Sequence, residues 1–291
     1  MPGPKKRGHR RYRQRTPIHA RLGQHFFTSG SVADRIIRSM DLRQNHSVLE
    51  LGAGEGFFNW MIAPNVRSLT AIEIDPQLIT QLNARFKDFE GIRAIRRSMT
   101  STVKFGDYDV IFGNIPFNRS ADVFKKISRP PVGFKFCYLI VQTEAAYRLL
   151  GSGRPIELAV LAYPFIDVRM GVNVPRWAYD PPASVDSIAL HAVARQSPLV
   201  SRRNYPAFRT FVKTIIHSDI HKLSREIGSH ISYPRRRQIC AQVNIETSDS
   251  HLALSMPQYV ALFDVISTSQ RSTDAQSPPL QTMSPVRPAS C

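Results

Sequence analysis

From position 31 the chain alternates short apolar runs with segments whose apolar residues recur at helical spacing. Ser31, with Asp34 three residues on, makes a capping-box pattern ahead of Val32, Ile36, Ile37 and Met40, which predicts a first helix. The runs SVLEL (47–51), LTAIEI (69–74), IRAI (92–95), YDVIF (108–112), FCYLIV (136–141), LAVLAY (158–163) and SIALHAV (187–193) are strand candidates, and YDVIF is apolar enough to sit inside a parallel sheet. Helical patterns at 56–63, 76–87, 120–128 and 143–150 separate most of the early runs. Strand–helix alternation at this spacing predicts an α/β fold: a doubly wound, mostly parallel sheet with right-handed crossovers. Tyr205 to about Ile266 has no such strands. It reads as two or three amphipathic helices, FRTFVKTIIHSDIHKLSREI being the clearest, and predicts a smaller C-terminal α-helical subdomain.

The expected organisation is a basic arm over 1–20, a main domain over 21–195, a helical subdomain over 196–266 and a Ser/Thr/Pro-rich tail over 267–291. Arm and tail carry no core-forming pattern and are expected to be disordered.

Composition narrows the function. With 291 residues and 42% apolar content the chain can bury a full core. No run approaches the roughly 20 apolar residues of a membrane span, and no apolar signal-peptide core opens the sequence, so a cytoplasmic protein without membrane contact is expected. Cys137, Cys240 and Cys291 lie too far apart for paired zinc spacing, and no metal is expected. Charge is more informative. Thirty-nine Lys and Arg against 22 Asp and Glu give +17, a field that favours a polyanion. KKRGHRRYRQR (Lys5 to Arg15), with Arg10, Arg11 and Arg13, contains no acid, and none occurs before Asp34. Arg202, Arg203, Arg209, Lys213, Lys222, Arg225 and Arg235 to Arg237 make a second concentration. A membrane surface or an acidic protein would satisfy charge alone. Interleaved Tyr12, Tyr205 and Tyr233, able to stack on bases, favour nucleic acid.

Three segments carry candidate chemistry. LELGAGEGF, after the first strand run, holds Glu50, Gly52, Gly54 and Gly56. Glycines there let the backbone turn tightly and let a ligand approach without a Cβ in the way. The dinucleotide fingerprint would need glycine where Phe57 stands, so a nucleoside cofactor suits the turn better than a dinucleotide, and a dehydrogenase is opposed by both this spacing and the charge. A tight turn without ligand is the plain alternative. The next strand run ends at Glu73 and Ile74, near the separation at which a carboxylate reaches ribose hydroxyls; an ordinary strand-end acid is again the alternative, with Asp75 free to cap the next helix. The third segment, YDVIFGNIPFNRS, ends a buried strand in Gly113, Asn114, Ile115, Pro116 and Phe117. In a doubly wound sheet ligands bind outside the carboxyl ends of strands. There the Asn114 amide oxygen, an Ile115 carbonyl turned out of the ladder by Pro116, and the Phe117 ring would seat an exocyclic amine on a flat base.

In this order the segments resemble the S-adenosylmethionine-dependent adenine-N6 methyltransferases of ribosomal RNA, and among them the Erm macrolide-resistance family, over roughly Leu22 to Ile266. LGQHFF (Leu22 to Phe27) is similar to a cofactor-touching segment, which implies contacts from Gln24, His25 and Phe26. LELGAGEG is similar to the glycine motif, AIEID to the ribose-binding strand end, FGNIPFNRS to the catalytic loop, and YDPPASVDS (Tyr179 to Ser187) to a segment whose aromatic lies near the target base. The resemblance implies a Rossmann-like class I methyltransferase domain, S-adenosyl-L-methionine as cofactor, catalytic Asn114 to Phe117, base stacking on Phe117 and Tyr179, and 23S rRNA, before full ribosome assembly, as partner of a monomer. His25 replaces the usual Asn, Phe117 the common Tyr, and Ser98, beside Met99, the Asp that contacts the cofactor's adenine; the positions carry over, the acidic role does not. Ile115 rather than Leu, and Asn118 after Phe117, lean toward Erm over the small-subunit rRNA dimethyltransferases. A non-catalytic nucleic-acid-binding factor on the same scaffold is the competing reading, and Ser98 is the residue behind it.

Overall fold

The computed structural model describes residues 26–101, 104–151, 155–216, 233–245 and 254–274. The basic arm with Arg10, Arg11 and Arg13, the residues Gln24 and His25, and the part of the predicted helix beyond Ile216 lie outside them. Two compact units emerge, residues 1–150 with 165–196, and 151–164 with 197–291.

In the first unit a seven-stranded sheet runs in the order β4-β3-β2-β5-β6-β9-β7. Its strands are β2 (Ser47–Leu51), β3 (Ser68–Glu73), β4 (Ile92–Arg96), β5 (Val110–Asn114), β6 (Phe136–Gln142), β7 (Ile166–Val174) and β9 (Ser187–Ala194). β4, β3, β2, β5 and β6 are parallel, while β9 and β7 pair antiparallel at one edge. A short ladder of β1 (Phe26–Phe27) with β8 (Tyr179–Asp180) lies apart from this sheet. Among the parallel strands α2 (Asn59–Ile62) links β2 to β3, α3 (Pro76–Phe86) links β3 to β4 and α4 (Ser120–Ile127) links β5 to β6, while α1 (Gly30–Ser39) precedes β2 and α5 (Thr143–Leu149) follows β6. The central strands read as predicted because both faces are covered: Val48, Leu49, Leu51, Val110, Ile111 and Phe112 are all fully buried. From β2 the chain moves outward to β3 and β4, then returns to β5 on the other side, so the crevice of the topological switch lies between the carboxyl ends of β2 and β5.

The second unit holds α6 (Glu157–Ala162), α7 (Tyr205–Ile216), α8 (Tyr233–Gln242) and α9 (Met256–Asp274). Its core forms around Phe208, Ile239, Tyr259 and Leu262, with the Phe208 and Phe263 rings edge to face at 5.2 Å.

Four expectations are corrected. LAVLAY is helix α6, packed with α7 and α9, so residues 151–164 belong to the helical unit and not to the main domain. A six-residue all-apolar run satisfies strand and helix equally. Strand β7 had no such run to announce it, because Arg169, Gly171 and Asn173 alternate with its apolar residues and a bulge interrupts it. The cap of α1 is Ser29, whose Oγ accepts from Val32 N at 3.4 Å, while Asp34 pairs with Arg38. Finally α9 runs through Asp274, past the expected start of the tail at 267.

Candidate active site

A cavity of about 710 Å³ opens at the carboxyl edge of the sheet. Three βα turns floor it. The first follows β2, where Gly52, Gly54 and Gly56 hold φ of +73°, +56° and +81°, the left-handed region that disfavours any Cβ. Gly52 and Gly54 line the cavity, and a Cβ on Gly52 would lie 2.7 Å from Met99 Cε. Gly56 does not line it. A Cβ there would lie 2.5 Å from Leu82 of α3 and 2.9 Å from Asn59 Oδ1, so helix packing by itself requires glycine at this position.

Glu73, at the end of β3, clamps the glycine turn. One carboxylate oxygen accepts Gly54 N at 2.8 Å, and the other accepts Ile74 N at 2.7 Å and Asp75 N at 3.0 Å. Asp75 in turn caps α3 through Gln77 N at 2.7 Å. Beside Glu73 the Ile74 side chain stands half exposed on the cavity wall. Glu50 reaches the same floor from β2, 2% exposed, with the Asn59 amide donating to its carboxyl. Burial pushes the Glu50 pKa up to about 8; the Asn59 amide opposes the shift and the nearby Glu73 charge adds to it. After β4, Ser98 and Met99 line the cavity. Ser98 organises its own turn, with Oγ 2.9 Å from Thr100 Oγ1 and its carbonyl accepting Ser101 N and Oγ.

The β5 turn faces these across the switch. Ile115 N donates to Ile140 O at 3.1 Å, the last rung of the ladder, and no hydrogen bond reaches the Ile115 carbonyl among the described residues. Pro116 starts a single turn closed by Arg119 N to Pro116 O at 2.8 Å, which sets Phe117 on the cavity wall. The Tyr179 hydroxyl donates to Asn114 Oδ1 at 3.3 Å, and burial holds that phenol up at about 12, protonated at any working pH. Behind Tyr179 packs an aromatic wall: Phe27 lies 5.2 Å from Tyr179, 4.8 Å from Phe58 and 5.6 Å from Phe57.

The fold therefore brings Phe26, Glu50, Gly52, Gly54, Glu73, Ile74, Ser98, Met99, Asn114, Ile115, Pro116, Phe117 and Tyr179 to one cavity. Arg202, Arg203 and Arg209 are exposed on the helical unit. Phe27, Phe57, Phe58, Arg85 and Arg97 also line the cavity and were not singled out from the sequence. The paired Phe57-Phe58 directly after the glycine turn was the available signal.

Residues 15–267 match the ribosomal RNA adenine dimethylase family. A probable ribosomal RNA small subunit methyltransferase A of Methanosarcina acetivorans is 30% identical over 226 residues, 76% of this chain and 82% of the relative. The mycinamicin-resistance protein MyrB of Micromonospora griseorubida is 28% identical over 198 residues, covering 67% of this chain and 61% of that one. Among solved structures, the 23S rRNA methyltransferase ErmE superposes with a TM-score of 0.71 at 22% identity, over 83% of this chain and 99% of that chain, which establishes the Rossmann-like methyltransferase fold. The chain belongs to the ribosomal RNA adenine dimethylase family and is an S-adenosylmethionine-dependent rRNA adenine-N6 methyltransferase.

Proposed function

We propose that this enzyme methylates N6 of one adenine of 23S rRNA at the macrolide-binding site of the exit tunnel, and so confers macrolide-type resistance. It acts as a cytoplasmic monomer on RNA not yet fully assembled into ribosomes. Among the described residues no helix is long and apolar enough to cross a membrane, and no group of side chains is placed to hold a metal ion.

The cofactor fits the residues present. The glycine turn leaves room no Cβ would allow, Glu50 and Glu73 supply buried carboxyl groups at its base, and Ile74 and Met99 offer apolar faces to a purine. Phe26, Glu50, Gly52, Gly54, Glu73, Ile74, Ser98 and Met99 would hold it, with Asn114 bordering both ligands; Gln24 and His25 keep the cofactor role the resemblance implies. When bound, S-adenosylmethionine supplies an electrophilic methyl group on its sulfonium.

The rest is positioning. The adenine amine is a poor nucleophile because its lone pair is delocalised into the ring. Asn114 Oδ1 and the Ile115 carbonyl would accept hydrogen bonds from its two N–H groups and draw that lone pair out of conjugation, the one proton released on methylation leaving to water. Holding the nitrogen in line, rather than acid or base chemistry, supplies most of the acceleration. Phe117 and Tyr179 would offset the cost of taking the base out of its stack. The basic arm, with Arg10, Arg11 and Arg13, and the helical unit, with Arg202, Arg203 and Arg209, would bind phosphates.

The Ile115 carbonyl beside Asn114, at the end of β5 and without a hydrogen bond among the described residues, is the observation that carries the chemistry. Ile115 and Asn118 in that loop, and the similarity to a mycinamicin-resistance protein, support the large subunit. The similarity to a small subunit methyltransferase supports a second reading, dimethylation of small-subunit rRNA. Protein-free 23S and 16S rRNA, incubated separately with methyl-labelled cofactor and mapped by primer extension, separate them. A single labelled 23S adenine is expected, and Asn114→Ala should abolish it. Label confined to 16S rRNA would establish the second reading.

A further inference from the structure

Trp177 is 62% exposed, more than any other large hydrophobic side chain described. It sits in a single turn, Arg176–Ala178, that no loose loop explains. Arg176 N donates to Asp186 Oδ1 at 2.8 Å, Ala178 N to Pro175 O at 2.8 Å, and Ala183 N to Arg176 O at 3.0 Å. The Ala178 carbonyl accepts Thr28 N at 2.8 Å and Thr28 Oγ1 at 3.2 Å. Ala178 and Tyr179 turn inward, fully buried or nearly so, while Arg176 and Trp177 turn out. The backbone is fixed on both sides of an indole that is kept in water. An indole held this rigidly in water offers a flat, pre-ordered face on which a base can stack.

We propose that Trp177 is the stacking platform for the unpaired nucleotide next to the target adenine, with Arg176 beside it for that nucleotide's phosphate. This rests on the reading that adenine docks at Asn114 and Tyr179. Trp177 lies two residues, at most about 7 Å of chain, from Tyr179, which lines the cavity, so the neighbour of an adenine that enters there comes within reach of the indole. Once the adenine leaves its stack, its neighbour loses a stacking face, and an indole replaces it whatever the base. A protein partner would want a contiguous apolar patch; here a single ring stands next to an arginine on a chain of net charge +17.

Steady-state methylation of an rRNA fragment by the full chain tests this. Trp177→Ala should raise the KM for RNA about tenfold while leaving kcat and the KM for cofactor within about twofold, and Trp177→Phe should retain most of the affinity. Replacing the nucleotide on one side of the adenine by an abasic residue should weaken the wild type and erase its advantage over Trp177→Ala. RNA should quench the wild type's tryptophan emission more than that of Trp177→Phe. Equal KM values for wild type and Trp177→Ala, or a penalty that no flanking abasic residue removes, would overturn the proposal while methylation itself stands. Absence of methylation by the wild type on every rRNA would overturn the underlying reading and this inference with it.

Discussion

Two carboxyl groups on neighbouring strands, three residues apart along the sheet, are driven in opposite directions. Asp109 lies at the amino edge, where it accepts Ser47 N and Ser47 Oγ, both at 2.9 Å, and pairs with Lys135 at 2.8 Å. Burial alone would raise its pKa, but these donors and the Lys135 charge outweigh burial and hold it down at about 2. Glu50 lies near the carboxyl edge of the adjoining strand, with one amide to compensate it, and burial leaves it up at about 8. The amino edge spends its polar groups on closing the sheet. The carboxyl edge leaves a carboxyl group short of donors, an acceptor carbonyl unpaired and glycines at positive φ. Those are costs to the free protein that a ligand bringing positive charge and N–H donors would relieve.

The most severe way to separate the two edges is Asn114→Ala. Turnover should fall by about 10³-fold, the scale of losing a group that orients the reacting atoms, while the melting temperature stays within ~2 °C. A large loss of stability would mean that the carboxyl edge holds the sheet together as the amino edge does.

Glu50→Gln should make the free protein more stable. Gln keeps an acceptor for Asn59 and carries no charge to bury. In the wild type the folded pKa lies above the ordinary 4.5, so Glu50 contributes stability fully below about pH 4.5 and loses it as pH rises to about 8. Melting curves of wild type and variant should therefore diverge from pH 5 to pH 9, by on the order of 5 kcal/mol at the top. Cofactor affinity should move the other way, since a cationic ligand favours the ionised form: wild-type affinity should rise toward pH 8 and that of the variant stay flat. Parallel stability curves would show that Glu50 is ionised in the free protein.

Asp109→Asn is the mirror image, and smaller. A depressed pKa stabilises above the ordinary 3.8 and the contribution is lost as pH falls through about 2. The variant should be about 1 kcal/mol less stable at pH 7, after solvent screening of the partly open Lys135 pair, with the gap closing below pH 4 and activity unchanged.

How far this division was legible in the sequence follows from the same physics. Positive φ demands glycine, so the turn at Gly52 and Gly54 could be read directly. A strand that ends in Asn-Ile-Pro-Phe announces itself because those residues abandon the ladder. Asp109 gave no such sign: its partners Ser47 and Lys135 are 62 and 26 positions away and meet it only through strand register. Gly56 reads the same either way, because packing under Leu82 and approach to a ligand ask for the same residue. The wall of Phe27, Phe58 and Tyr179 comes from three separate segments, and only folding brings their rings within about 5 Å.

The mildest test bears on that wall. Tyr179→Phe keeps the ring against Phe27 and removes only the hydroxyl that donates to Asn114 Oδ1. A carbonyl oxygen has two lone pairs, so that hydroxyl need not compete with an adenine N–H; its effect is to fix the amide's orientation. At 3.3 Å the bond is long, and a neutral hydrogen bond contributes about 1 kcal/mol. Tyr179→Phe should thus lower kcat about threefold and leave the KM for RNA unchanged. A rise in kcat would show that the hydroxyl blocks the acceptor in the free enzyme, and a rise in KM that it touches the base itself.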